Sequence, residues 1–400
     1  MNIILFDEPA TKLDLLPFTF TRPVSEIRTG ILTIKEKWEK MLPGDYSYLT
    51  DNYLSHNFPS HISNENVYIN GCVLPGDSLI ASIKALKKNQ ILVKDGIVIA
   101  FFGHVDTLEE LDTLSLRKKC EEIDFPDELV TVEHVYDIFL KNRMANITDF
   151  KLLTKGRTSH EIEDPYTICY NRNDIFIEEN VTFKSAILNA ENGPIFIGAH
   201  TIIGEGSVIR GASSIGENSI LNINARIVGD TTIGPHCKVG GEISNSVIFG
   251  YSSKSHDGFL GNAVIGEWCN LGADTNTSNL KNNYKDVRIW NYREEKFVDT
   301  GRQFCGLMMG DHSKCGINTM FNTGTMVGVC ANIFGSGFPK AFIPSFSWGG
   351  ADGFTTYEFD KAIEVLPKVL ERRKKILSEK DVEILQHIFE VTKKYRKELG

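Results

Sequence analysis

A chain of 400 residues is longer than one hydrophobic core comfortably serves, so two or more domains are expected. Hydrophobic content of 42%, charged content of 24% and a net charge of -9 fit a globular protein with no overall pull toward nucleic acid or an anionic membrane. The opening MNIILFDEPATK lacks the regions of a secretory signal, and no stretch reaches the roughly 18 apolar residues of a bilayer span. Eight scattered cysteines without a C-x-x-C pair read as reduced thiols, and together these features point to a cytoplasmic protein.

Residues 1–155 read as an α/β domain. Asn2–Phe6 and Val67–Asn70 have the composition of strands, and Ile91–Ala100 reads as strand segments about a Lys94-Asp95-Gly96 turn. Thr29–Met41 and Val135–Asn146 have helical spacing. Residues 151–173 are polar and irregular, as a linker would be.

From about Asp174 to Phe334 the chain repeats every six residues. Stepping by six from Ile197 meets Ile203, Ile209, Ile215, Leu221, Ile227, Ile233 and Val239. Four residues after each anchor stand Thr201, Ser207, Ser213, Ser219, Ala225, Thr231 and Cys237, all small, and glycine follows the anchor at 198, 204, 216, 234 and 240. The period resumes at Phe259, Ile265 and Leu271, and again at Met309, Cys315, Phe321, Val327 and Ile333. Three short strands per coil make a triangular prism, with one apolar residue per face pointing inward, small residues at the corners, and Gly or Asn in the tight turns. Residues 174–345 are therefore expected to form a parallel β-helix. The frame slips between Val239 and Phe259 and between Leu271 and Met309, where loops leave the prism and chemistry tends to sit.

Residues 346–400 turn helical. Phe359, Ile363, Leu366 and Leu370 make one stripe, with Pro367 a candidate kink. Ser378-Glu379-Lys380-Asp381 reads as a capping box opening a second helix, whose stripe is Ile384, Ile388, Val391 and Tyr395. Lys393, Lys394, Arg396 and Lys397 suit its carboxyl end through the helix dipole.

The segment Ser252–Thr277, SSKSHDGFLGNAVIGEWCNLGADTNT, lies in the first slip. It resembles the acetyltransferase domain of GlmU-type bifunctional enzymes, which pair N-acetylglucosamine-1-phosphate uridylyltransferase with glucosamine-1-phosphate N-acetyltransferase. His256, Leu260-Gly261, Ile265-Gly266 and Asn270-Leu271-Gly272-Ala273-Asp274-Thr275 match that family's offsets. The resemblance implies a left-handed coil, His256 as general base, Asn270 and Asn279 on the amino sugar, and Lys285 on the sugar phosphate. Phe259 and Leu280 replace family tyrosines and take two hydroxyls from the sugar pocket. The chemistry suits these residue types, because only a free amine attacks a thioester and imidazole is a base near neutrality. The bland readings are a turn histidine beside Asp257-Gly258, turn asparagines and a solvated lysine. Arg226, in the repeats, reads as a solvent-exposed charge, with contact to the phosphate as the alternative.

The amino-terminal layout of Thr11-Lys12-Leu13, Pro17-Phe18-Thr19 and Thr21-Arg22-Pro23-Val24, with Glu26 and Arg28, resembles a divergent sugar nucleotidyltransferase branch. Glu8, Pro9 and Ala10 stand where that superfamily has glycines, and the strand ending VYINGC lacks its metal-binding Asp, leaving Asp77 as a substitute. The resemblance implies triphosphate held by Lys12, Arg22 and Arg28 with Mg²⁺; the alternative is structural ion pairs in a retired domain. The expected protein is a homotrimeric transferase using acetyl-CoA, a sugar phosphate and UTP, with no nucleic-acid or membrane partner. A nucleotidyltransferase acting on another sugar, with the β-helix serving assembly, and a non-catalytic regulatory trimer remain open.

Overall fold

The structure, a computed structural model, describes residues 1–111 and 113–397. The chain divides into two compact units: Met1–Leu15, Thr21–Ile27 and Leu32–His134 form the first, and Leu16–Phe20, Arg28–Ile31 and all that follows Val135 form the second.

The first unit is built on a six-stranded sheet of β1 (Asn2–Phe6), β2 (Asp45–Leu49), β3 (Asn66–Asn70), β4 (Gln90–Lys94), β5 (Ile97–Gly103) and β6 (Glu121–Asp124), in the order β2-β1-β3-β5-β4-β6. β1 is parallel to both neighbours, and Ile3 to Phe6 are all buried, as befits a strand covered on both sides. β4 and β5 form the hairpin expected from Lys94-Asp95-Gly96, in which Asp95 and Gly96 both take positive φ, as a tight hairpin turn requires. Helices α1 (Pro9–Asp14), α2 (Ile34–Met41), α3 (Asn52–Ser55), α4 (Asp77–Ala85) and α5 (Thr113–Lys119) complete the unit. The helix expected from Thr29 starts later. Thr33 caps α2 in a capping box with Glu36, while Gly30, at φ +78, belongs to the second unit.

From Val135 the second unit runs through α6 (Asp137–Leu140) and α7 (Asn142–Thr154), two helices where one was expected to Asn146. The expected linker is thus shortened at both ends, because α7 runs to Thr154 and the first prism strand is Ile168–Tyr170. From there the chain winds through three stacks of short strands, parallel until the closing Gly353–Thr356 hairpin strand.

On the first face of the prism Leu188, Ile209, Ile227, Ile243 and Leu260 point inward. The second face contributes Ile177, Ile197, Ile215, Ile233, Ile248, Ile265, Met309, Val327 and Ile343. The third contributes Phe183, Ile203, Leu221, Val239, Lys254, Leu271, Cys315 and Ile333. Every anchor from Ile197 to Val239 is buried, and so are the small residues four places on. This is the architecture the repeats called for.

Two details differ. The anchor after the first slip is Leu260, fully buried and opposite Ile243, while Phe259 stands outside and half-buried. The glycines that follow anchors serve close approach between coils. A Cβ at Gly216 would come within 2.5 Å of Pro235 N, and one at Gly234 within 1.6 Å of Phe249 O. Positive φ falls two residues later, on His200, Asn218, His236, Tyr251, Trp268 and His312.

The carboxyl-terminal helices are α8 (Phe359–Glu371, with Pro367 inside it), α9 (Glu379–Val391) and α10 (Lys393–Arg396). The capping box of Ser378 and Asp381 is present. Val391 is exposed instead of joining the stripe, and Arg396 is buried. Its guanidinium donates to Ser345 O and Phe389 O and lies 4.4 Å from the Phe389 ring centre, so it is a packing residue and no solvated charge.

Candidate active site

The third-to-first corner of the prism changes shape at Ser255–Gly258. Here the coil below turns on Gly240-Gly241, and neither could carry a side chain: a Cβ would lie 2.4 Å from Ser255 O at Gly240 and 3.0 Å from His256 O at Gly241. Gly258, at φ +113, similarly backs onto Thr275 O. Successive coils thus approach backbone to backbone at this corner.

That corner borders a cavity of about 390 Å³ lined by Asn222, Ile223, Gly240, Gly241, Ser255, His256, Asp257, Ala273 and Asp274. His256 and Asp257 are exposed on it. Asn222, two coils away, donates its side-chain amide to Ser255 O at 2.6 Å. From inside the prism, the Lys254 ammonium donates to Gly240 O at 3.0 Å and His256 O at 2.9 Å. Burial pushes that ammonium down from 10.5 to about 8, partly offset by Asp257. The arrangement offers an exposed imidazole on the cavity wall, with two carboxylates, Asp257 and Asp274, beside it.

Of the residues expected at the site, His256 alone lines this cavity. Asn270 is exposed on the outer side of the third face, beside Ser253 and Lys314. Asn279 follows the strand Asn276–Thr277 and donates to Asn262 Oδ1 at 2.8 Å. It shares its ground with Phe259, since a Cβ at Gly261 would meet both the Phe259 ring tip at 2.4 Å and Asn279 Nδ2 at 2.7 Å. Lys285 is exposed on the turn before the hairpin Arg288–Asn291/Lys296–Asp299. Arg226 is exposed and 3.5 Å from Glu242. Lys254 escaped the sequence reading, although counting back six from Leu260 lands on it.

In the first unit, Asp7, Lys12, Thr50 and Asp51 form one network at the carboxyl ends of β1 and β2. Lys12 Nζ is 3.3 Å from Asp7, 2.8 Å from Asp51 and 3.0 Å from Thr50 Oγ1. β2 and β3 flank β1 on opposite sides, so this is the sheet's switch point, where open α/β sheets take ligands. Asp7 accepts from Val24 N at 2.8 Å, and burial raises its carboxyl against the pull of Lys12. Arg22 is buried in this unit, whereas Arg28 belongs to the second unit and donates to Ile31 O. Asp77 stands exposed in the first turn of α4. Among the described residues, no group of three or more His, Cys, Asp or Glu is gathered to hold a metal. Nor is any helix among them long and apolar enough to cross a membrane.

Residues 3–158 match the family model described as sugar nucleotidyl transferase. A bifunctional sugar-1-phosphate nucleotidylyltransferase/acetyltransferase of Sulfurisphaera tokodaii is 25% identical over 260 residues, covering 65% of this chain and 58% of that one. A bifunctional protein GlmU of Methanococcus aeolicus is 39% identical over 87 residues, covering 22% and 20%. The chain therefore spans under two thirds of the first of these relatives and a fifth of the second. Among solved structures, an Arabidopsis UDP-N-acetylglucosamine acyltransferase is 16% identical, covers 59% of this chain and 94% of that one, and has a TM-score of 0.24. The amino-terminal 3–158 segment thus carries the sugar nucleotidyl transferase pattern, and about two thirds of the chain is similar to a bifunctional sugar-1-phosphate nucleotidylyltransferase/acetyltransferase.

Proposed function

We propose that this protein is a transferase whose prism moves an acetyl group from acetyl-CoA to the amine of glucosamine 1-phosphate. The observation that carries the proposal is the exposed imidazole of His256 on the cavity wall, at a corner held from both sides. In this reading the amine nitrogen attacks the thioester carbon and its proton passes to the imidazole. The oxyanion is met by backbone N–H groups of the Ser255–Gly258 corner. The C–S bond then breaks, and the imidazolium returns the proton to the leaving thiolate. Asp257 and Asp274 favour a substrate that arrives as an ammonium, which gives its first proton to water before the free amine attacks. Asn279 beside Phe259, with Asn270 and Lys285, would hold the sugar phosphate. A neighbouring subunit of a homotrimer would close the cleft.

The first unit would transfer uridylyl from UTP to the phosphate of the N-acetylated product at the β1 switch point, with pyrophosphate leaving; Asp7 and Asp51 are the carboxylates there that would meet a Mg²⁺, which would supply charge neutralisation of the triphosphate. Its lysine already has two carboxylate partners, so triphosphate must compete for it, and weak turnover is expected. The test of the acyl-transfer reading is His256→Ala. Acetyl-CoA-dependent acylation should fall by about 10²–10⁴, the usual worth of a positioned base, and recover in part at high pH. Undiminished acylation by a folded His256→Ala protein would overturn it.

A further inference from the structure

The interior of the third face is hydrocarbon or thiol at every coil but one. Between Val239 below and Leu271 above stands Lys254, its backbone opposite Val239 and its side chain 2% exposed. An ammonium at such a position gives up its water, and filling the site with an apolar side chain of similar volume is often neutral or stabilising. The charge is met only in part. The two hydrogen-bond acceptors of Lys254 are the carbonyls of Gly240 and His256. The charged and titratable groups facing it are Asp257, Arg226, Asp274 and the Cys315 thiol, none within ion-pair distance.

What the ammonium holds is informative. Both acceptor residues line the cavity, and one of them is the candidate base. From the outer side, Asn222 holds the carbonyl of Ser255, the residue between Lys254 and His256. The corner is clamped through consecutive carbonyls, Ser255 from without and His256 from within. Bonds from a charged donor are about twice as strong as neutral ones. A leucine or methionine would fill the same interior position and hold nothing.

We propose that Lys254 is a positioning residue for His256: its ammonium, working from inside the prism, fixes the backbone at His256 and so sets where the imidazole stands in the cavity. This rests on His256 being the base of the acyl transfer proposed above. Lys254 touches neither substrate nor reacting atoms in this role; it acts through another residue.

The test is Lys254→Met, which keeps length and volume and removes the donors. The variant should stay folded at pH 7, with kcat for acetyl transfer down at least tenfold and both KM values within twofold of wild type. Amide hydrogen exchange at 255–258 should quicken by about tenfold. In a His256→Ala background the same substitution should cost no further activity, because a residue that acts through His256 has nothing left to position. Lys254→Arg, which keeps a charged donor, should recover part of the lost kcat. Should Lys254→Met fail to fold, Asn222→Ala loosens the same corner from outside and should show the same exchange and kcat effects. Unchanged exchange at 255–258, or a full additional loss in the double variant, would overturn the proposal. If wild-type protein transfers no acyl group, the reading of the site fails, while the exchange measurement still decides whether Lys254 holds the corner.

Discussion

Asn142 is fully buried, and each polar atom of its side chain has a partner. Its oxygen accepts from Gly30 N at 2.6 Å and from Thr232 Oγ1 at 3.0 Å, and its nitrogen donates to Asp230 O at 2.7 Å. Asn142→Ala would leave two buried groups, Gly30 N and Thr232 Oγ1, and the half-buried Asp230 carbonyl without that partner, so urea unfolding should show a loss of about 2–4 kcal/mol, at roughly 1–3 kcal/mol per buried unsatisfied group with some relaxation. Lys254 supplies a prediction of opposite character. Burial lowers its ammonium from 10.5 to about 8, so between those values the folded state holds fewer protons than the unfolded one. Stability should therefore rise with pH across that window, and the cost is complete below it. The lowering corresponds to about 3 kcal/mol. Unfolding at pH 7 and at pH 10.5 should show wild type gaining on Lys254→Met by that order, and a pH-independent difference would contradict the burial argument. His256 was legible in the sequence because its neighbours match a known spacing. Lys254 was hidden because the repeat was taken to resume at Phe259. With Leu260 as the inward residue, the same count of six runs back through Lys254.

At the scale of elements, legibility follows how plainly burial is written in hydrophobicity. The prism strands bury one branched apolar residue each, so their period was readable over most of the repeats. α7 was not read to its end, because its buried side is Asn142, Ala145, Asn146 and Asp149, held by polar bonds that carry no apolar period. Positive-φ corners were also obscured, since His, Tyr and Trp occupy positions where Gly or Asn is expected. The rings of His236, Tyr251, Trp268 and His312 explain this substitution. They stack from coil to coil, with centroids 4.8, 4.3 and 6.4 Å apart, and this contact offsets the backbone strain. The second slip was expected to send a long loop outward. Instead its hairpin folds back, with Trp290 stacked 4.2 Å from Phe342 and edge-on to Tyr395. Arg396 docks the end of the helical segment on Ser345, and its desolvation lowers the guanidinium to about 10. Arg396→Lys should behave much like Arg396→Ala, each costing about 2–3 kcal/mol, because one ammonium cannot reproduce two planar donors and the ring contact. Wild-type stability of Arg396→Lys in urea would show that charge alone suffices.

At the scale of the whole molecule, the three prism faces are unequal. The second is buried strand after strand, from Ile175–Ile177 through Thr231–Ile233. Within its own unit, α7 packs on its outer side and Phe18 lies 5.3 Å from Phe249. The first and third faces keep outward residues in water, among them Arg210 and Arg226 on one and Ile202 and Asn270 on the other. The edge between them carries Ile223, 65% exposed and on the wall of the His256 cavity, and Ile317, 71% exposed beyond it. Single exposed apolar residues need no explanation, but two on one edge beside a candidate site are a place to look for a partner surface. If copies of this chain assemble as the homotrimer proposed above, a closed ring buries this edge against a neighbour and shuts the cavity. Ile223→Lys with Ile317→Lys places two charges there without touching the prism interior. The double variant should keep its circular dichroism and its melting midpoint as an isolated chain, yet sediment as a monomer at micromolar concentration where wild type sediments as a trimer. Acetyl transfer should fall with assembly, and Ile317→Lys alone, which lies off the cavity wall, should recover it at protein concentrations that restore the trimer. A wild-type monomer, or a double variant that remains trimeric and fully active, would place the working site within one chain and leave the edge without a partner.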